Sequence, residues 1–215
     1  MINVTFHGIG EPASEITAAE QRVWLDEAEF GAVLDRIATR EGVRITFDDG
    51  NLSDVRVGLP ALRQRCLAAT FFLVAGRLGE PGFLDEDDVR ELSRAGMRIG
   101  CHGMRHRAWR RLSEADLHEE LVVARERLEQ AAGVPVSEAA CPFGAYDRRV
   151  LGALRRYGYQ RVFTSDGGTA RANRWIQPRT SLGPGAAAAL EPLLSPSRPA
   201  AALPRQAKLV IKRWR

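Results

Sequence analysis

Short apolar runs alternate with amphipathic stretches along most of this chain. Ile2 to Phe6 reads as a first strand, ending at the glycine-rich loop His7-Gly8-Ile9-Gly10-Glu11-Pro12. Behind Asp26, a candidate N-cap, Phe30, Val33, Leu34 and Ile37 fall on one helical stripe. Gly42 to Phe47 is a second strand, rich in β-branched and aromatic residues, and a helix follows from Val55 to about Cys66. Ala69 to Val74 is a continuous apolar run, the pattern of a parallel strand covered on both faces. A helix from Asp85 to Ala95 stops at Gly96, and a strand leads on to Cys101. Ser113 opens an amphipathic helix that runs to about Ala132, with Gly133 as its stop. Ser137–Cys141 is then a strand, Asp147–Tyr157 a helix, Arg161–Thr164 a strand and Trp175–Leu182 a last strand. Glu15 to Trp24 fits no single period. Strand and helix in alternation predict an α/β protein with a parallel sheet or barrel, in which chemistry sits at the carboxyl ends of strands.

Past Leu182 the pattern fades. Gly183 to Arg205 is rich in Ala, Pro, Gly and Ser and reads as a poorly ordered linker. It leads to a basic-apolar tail, Lys208 to Arg215. The expected organisation is one folded domain over 1–182, then linker and tail over 183–215. A chain of 215 residues with 45% hydrophobic and 27% charged content suffices for one core.

Net charge is +4, and Lys208 and Lys212 are the only lysines. Arg105, Arg107, Arg110 and Arg111 crowd together, and the tail is basic as well. A solvated arginine-rich surface explains this; an anionic polymer or a weak membrane-surface contact through the tail is the alternative. No nucleic-acid partner is expected. Cys66, Cys101 and Cys141 suggest no disulfide framework. The first residues lack the pattern of a signal peptide, and no run is long enough to span a membrane. The expected location is cytoplasmic, with association at the inner membrane face as a variant.

Two strand ends carry the candidate chemistry. Thr46-Phe47-Asp48-Asp49-Gly50 puts adjacent carboxylates at the mouth of a buried strand. Such neighbours raise each other's pKa unless a cation absorbs the charge; a solvated acidic turn is the other reading. His102-Gly103-Met104-Arg105-His106 follows another strand. Histidines at i and i+4 reach one metal if the segment makes a helical turn. Two imidazoles and one carboxylate leave an open coordination position for water, as hydrolytic zinc sites require.

These two motifs, with Ala140-Cys141-Pro142-Phe143-Gly144 as a partial third, resemble the polysaccharide deacetylases, carbohydrate esterase family 4 (the NodB homology domain). The likeness runs from about Val4 to Leu182. It implies a distorted, incomplete (β/α) barrel and a metal-dependent hydrolase that removes N-acetyl groups from a polysaccharide or oligosaccharide, with metal-activated water as nucleophile. By the resemblance, Asp49, His102 and His106 hold a divalent metal, with Zn2+ the default. Asp48 is the base, and the Pro142-Phe143-Gly144 turn contacts substrate, the Phe143 N–H holding the oxyanion.

Two departures stand out. The family has an arginine shortly before its third motif that orients the base; alanine or cysteine stands there in this chain. Arg179 is the candidate stand-in. The family also ends on a strand with a histidine that protonates the leaving amine, and no histidine follows His118. His7, at the end of the first strand, is the candidate for that role, since a first strand can close against a last one. Ser165-Asp166-Gly167 matches the family's fourth motif poorly. Hydrolysis of a non-sugar amide, or a non-catalytic carbohydrate-binding relative, are the alternatives.

Overall fold

A computed structural model describes residues 1–194. The chain opens with β1 (Ile2–Phe6) and a short β2 (Gly8–Ile9). The single-turn helix α1 (Ala18–Gln21) precedes β3 (Trp24–Leu25), which pairs with β2. Helix α2 (Glu27–Ala38) is capped by Asp26 and leads to β4 (Val43–Asp49). A π-helical turn at Asp54–Gly58 runs into α3 (Leu59–Gln64), followed by β5 (Ala69–Leu73). Next come α4 (Glu86–Arg94) and β6 (Arg98–Cys101). The long helix predicted from Ser113 is present, but a π-helical turn at Glu119–Val123 divides it into α5 (Glu114–His118) and α6 (Ala124–Ala132). Then follow β7 (Glu138–Ala140), α7 (Arg148–Arg156) and β8 (Arg161–Thr164). The described chain ends with β9 (Ile176–Pro178), β10 (Thr180–Ser181) and α8 (Ala186–Leu194).

Eight strands form one parallel sheet in the order β10-β1-β4-β5-β6-β7-β8-β9. Its two edge strands, β9 and β10, are separated in sequence by Arg179 alone. The sheet therefore nearly closes on itself, giving the expected distorted (β/α) barrel. The final strand is not the single piece predicted over Trp175–Leu182: β9 pairs with β8, and β10 pairs with β1. Pro178 has no N–H to offer a ladder. Instead the Asn3 side chain bridges the seam, donating to the Pro178 carbonyl at 2.9 Å and to Gln177 Oε1 at 3.2 Å.

Strand alternation gives the sheet two different faces. Outward residues such as Phe6, Phe47, Phe71 and Ile99 join Phe30, Leu34 and Leu92 of the covering helices in the main core. Phe47 stacks on Phe71 at 4.5 Å between ring centroids, and Phe6 meets Phe30 edge-on at 4.9 Å. Inside the barrel, Phe72, Ala140 and Phe163 form a separate apolar plug. Below it lie polar side chains from the amino-terminal halves of the strands. There Arg161 pairs with Glu138 at 2.8 Å, and Arg44 lies over the Phe163 ring at 5.5 Å. With the lower barrel filled, the carboxyl ends of the strands are where a site can open.

Residues 186–194, read from sequence as the start of an unstructured linker, are helical. Leu190 is fully buried, and the Ala187 carbonyl accepts from Arg36 of α2. Four alanines opening a nine-residue segment that also holds a proline show no period, yet small side chains allow close packing. The remainder of the predicted linker and the basic tail, 195–215, lie outside the described residues. Among the described residues, no helix is long and apolar enough to cross a membrane.

The interior packing is testable at two glycines. A Cβ at Gly100 of β6 would sit 2.3 Å from the Phe72 ring, whereas one at Gly152 of α7 meets nothing within 4 Å. Gly100→Ala should lower stability by about 1–3 kcal/mol in urea unfolding. Gly152→Ala should raise it by about 0.4–1 kcal/mol.

Candidate active site

The site is assembled where β1, β4, β6 and the β9–β10 seam end. Regular alternation would send Asp48 and Asp49 to opposite faces of β4. The backbone prevents this by turning left-handed at Asp49 (φ 79°) and again at Gly50 (φ 76°). Aspartate tolerates that region better than most side chains, and glycine enters it freely. Both carboxylates thereby face His102: its Nε2 lies 3.8 Å from Asp48 and 3.7 Å from Asp49.

The two histidines converge without the helical turn expected from their spacing. His102 follows β6 directly, and residues 102–106 form a loop with Gly103 at φ 90° and His106 at φ 49°. Backbone bonds from Ala75 to Gly103 and from Gly76 to Met104, both 2.9 Å, hold the loop to the end of β5. Those partners already satisfy its carbonyls, so a helical turn is not needed. The imidazole centroids are 5.1 Å apart.

The donor set fits a metal. His102 Nδ1 lies 2.8 Å from the Ala140 carbonyl, which can only accept, so the proton sits on Nδ1 and Nε2 presents a lone pair. Asp49 Oδ1 is buried and takes no hydrogen bond, although His106 Nε2 is 3.0 Å away. Atoms that close require either a proton on His106 Nε2 or a metal cation between them. One ligand atom from each of Asp49, His102 and His106 can be chosen so that all lie within 4.8 Å of one another. Burial lowers the imidazoles to about 3 at His102 and about 4 at His106, the nearby charge of Arg77 adding to the second. Burial raises Asp49 to about 6. Neutral imidazoles are the form that binds metal.

Asp48 is in the opposite state. Burial pushes its pKa up, but the charge of Arg179, then that of His102, outweighs this and holds the carboxyl well below the usual range. Arg179 is fully buried and grips both oxygens at 2.6 Å. It also donates to the hydroxyls of Thr5 and Thr46 at 3.1 Å. Its main chain is held by Thr164 O at 2.8 Å and by the Gly167 N–H at 2.7 Å. The loop after β8 thus supports Arg179, while Asp166 in that loop accepts from the Tyr146 and Thr164 hydroxyls at 2.7 Å.

The remaining expected residues border the same space. Phe143, in the Pro142–Gly144 turn, is left-handed at φ 56°, 70% exposed, and 4.6 Å from the His106 ring. His7 has a buried, unpartnered Nδ1, and its charge acts on both Asp48 and Asp49. Two of the four clustered arginines are paired with acids of α5 and the turn after it. Arg105 pairs with Glu119 at 2.8 Å, and Arg107 with Asp116 and Glu120 at 2.8 and 2.9 Å. Arg107 is therefore committed to the protein rather than offered to an anionic polymer. Sequence reasoning missed Asp54, whose carboxyl is fully buried with neither oxygen partnered. Burial first, then the charges of Asp49 and Asp48, push it well above the ordinary range.

Fold and site together define a parallel barrel with a candidate single-metal centre of two histidines and one carboxylate. The sequence model of the polysaccharide deacetylase family matches residues 36–162, and the chain belongs to that family. Among curated proteins it is similar to YxkH of Bacillus subtilis strain 168, a protein assigned to the polysaccharide deacetylases, at 25% identity over 144 residues. That alignment takes in 67% of this chain and 52% of YxkH, so the chain spans about half the length of this relative. Among solved structures, the Streptococcus pyogenes deacetylase PplD in complex with acetate superposes with a TM-score of 0.79 at 18% identity, covering 91% of this chain and 98% of that one. IcaB from Ammonifex degensii gives 0.73 at 20% identity, covering 88% and 94%. His7 and Arg179 both lie outside the family-matched stretch.

Breaking the Asp48–Arg179 pair leaves a buried carboxylate without its counter-charge. Arg179→Met should cost about 3–5 kcal/mol, and adding Asp48→Asn should recover much of it. The pH dependence has a definite sign. In the parent, the depressed Asp48 contributes stability above its unfolded pKa of about 3.9, lost as pH falls through the folded value. In Arg179→Met the main opposing charge is gone and burial raises Asp48, so the folded state binds the extra proton. The deficit of the variant relative to the parent should then shrink as pH is lowered, which urea titrations at several pH values will measure.

Proposed function

We propose that this protein is a metal-dependent hydrolase that removes N-acetyl groups from a polysaccharide or oligosaccharide. The observation that carries the reading is the pair of aspartates turned to one side by the left-handed Asp49, one facing the Nε2 atoms of His102 and His106 and the other gripped by Arg179. Asp49, His102 and His106 would hold the metal, zinc being the default for mixed nitrogen and oxygen donors. Bound there, a divalent ion supplies Lewis acidity toward the acetamide carbonyl and makes a coordinated water more acidic.

The chain's own groups divide the rest of the work. Asp48 accepts a proton as water adds to the acetamide carbon, and Arg179 fixes which way its oxygens point. A base held this low is weak by itself. Its contribution is orientation and a guaranteed negative charge, which suits a water whose acidity comes from elsewhere. The Phe143 N–H donates to the oxyanion as the carbonyl becomes tetrahedral. His7 donates a proton to the nitrogen as the C–N bond breaks, releasing acetate and the amine. The exposed Phe143 ring beside His106 offers an apolar face to a sugar ring.

Arg179 and His7 supply side chains for the two roles whose usual positions are vacant in this sequence, which argues against the non-catalytic reading. The buried thiols of Cys101 and Cys141 suit a reducing compartment, and the cytoplasm is the proposed location. The proposed partner is an N-acetylated glycan; no nucleic-acid partner is proposed.

Acetate release from N-acetylglucosamine oligomers, with and without chelator, tests the reading directly. Metal analysis should find about one divalent ion per chain, as a single three-ligand site implies. His102→Ala and Asp49→Ala should lose it, while Asp48→Asn keeps it and loses activity. Zinc bound as tightly by Asp49→Ala as by the parent would show that the ligand set is wrong.

His7→Ala should lower turnover on an acetamide by about 10²- to 10⁴-fold, the usual worth of a general acid. Metal content should not change. The loss should shrink on an activated ester, whose leaving group needs no proton. Parental turnover on the acetamide would remove His7 from the mechanism.

A further inference from the structure

We infer that Glu120 is a positioning residue for the metal centre, acting through the loop that carries His106; the inference rests on the metal site proposed above. Glu120 lies in the π-helical turn between α5 and α6 and is fully buried. Its Oε2 accepts from the main-chain N–H groups of Met104 at 2.8 Å and Arg105 at 3.4 Å, and from Trp109 Nε1 at 3.3 Å. Its Oε1 accepts from Arg107 Nε at 2.9 Å. All of these donors belong to the segment that leaves β6 at one metal-ligand candidate and passes through the other.

The approach is close enough to dictate sequence nearby. A Cβ on Gly103 would stand 2.2 Å from Glu120 Oε2, and Gly103 is left-handed at φ 90°. On the opposite side, Ala75 and Gly76 donate to the Gly103 and Met104 carbonyls. The loop is thus held from both sides, by the Ala75 and Gly76 N–H groups on one and by a buried anion on the other. A carboxylate in such a place is costly unless its lone pairs are used and its charge met, and Arg107 with the N–H groups does both. The extra residue of a π-turn re-aims one side chain of an otherwise regular helix, and such turns frequently occur at functional sites. If only a helix needed anchoring to a loop, an apolar contact would serve. An anion collecting several N–H groups instead fixes the path of the backbone, and His106 holds its left-handed conformation within that path.

Glu120→Gln keeps the shape, but its NH2 must face either Arg107 Nε or the Met104, Arg105 and Trp109 N–H groups, all of them donors, and the anion that gathers them is lost. Zinc affinity, measured by competition with a chromophoric chelator, should weaken about 10- to 100-fold, the usual effect of losing an outer-shell partner. The absorption spectrum of the cobalt-substituted protein should change as His106 is displaced. In the metal-free protein, hydrogen exchange at the Met104 and Arg105 amides should quicken. A purely structural role would lower the unfolding midpoint while leaving the affinity and cobalt spectrum of the folded protein at parental values, and that result overturns the inference. Trp109→Phe, which deletes one donor and no charge, provides a second route if Glu120→Gln does not fold. It should shift affinity and spectrum in the same direction by less, and parental values for both would likewise overturn the inference. His106→Ala separates the two levels. A protein that binds no zinc, or whose affinity ignores His106→Ala, overturns the metal-site reading and this inference with it. A His106→Ala loss beside an unaffected Glu120→Gln overturns this inference alone.

Discussion

The buried pair between Asp48 and Arg179 is the constraint on which the upper half of the barrel depends. One partner ends β4, deep in the sheet, and the other stands between β9 and β10, where the sheet closes. A guanidinium inside a barrel needs a counter-charge, and a carboxylate beside another carboxylate needs a cation. Each requirement meets the other across the interior. Thr5 and Thr46 take further guanidinium protons, and the rings of Phe72 and Phe163 lie 5.1 and 5.9 Å from its carbon. The polar pair therefore rests on the apolar plug and keeps both oxygens of Asp48 oriented.

The neighbouring aspartate has the reverse character, and backbone geometry separates them. Without the left-handed turn at Asp49, one carboxylate would point into the helix layer. With it, Asp48 is held ionised by an arginine, whereas Asp49 is raised by burial. Two identical side chains, adjacent in sequence, thus acquire distinct chemistry from one rotated peptide. The positive φ values at Asp49, His106 and Phe143 gather around the same opening. Non-glycine residues in that region store strain that the surrounding packing must hold.

Much of this could be read from the sequence, because strand and helix periods alternate clearly and the aspartates and histidines stand at strand ends. The candidate metal ligands could be picked out as residues but not as geometry. The spacing of His102 and His106 suggests a helical turn, whereas backbone partners from β5 draw the segment into a loop. Arg179 could be suggested only as a substitute for an arginine missing elsewhere, since nothing local marks an inward guanidinium. Glu120 was hidden within an amphipathic helix because a π-turn changes which face a residue occupies. Helix α8 went unseen because alanine-rich sequence carries no period. Asp54 gave no signal, since an aspartate after a serine reads as ordinary turn chemistry.

The split strand has a consequence for how the molecule is completed. Every metal-ligand candidate lies on the chain before Arg179, so the histidines and Asp49 can converge while the barrel is still open. Asp48 cannot reach its final state until the last strand has docked on β8 and β1. Until then its carboxylate lacks the guanidinium that grips both oxygens in the closed barrel. Closure of the seam therefore delivers the counter-charge that lets Asp48 be buried as an anion, so the strand that completes the sheet also completes the site.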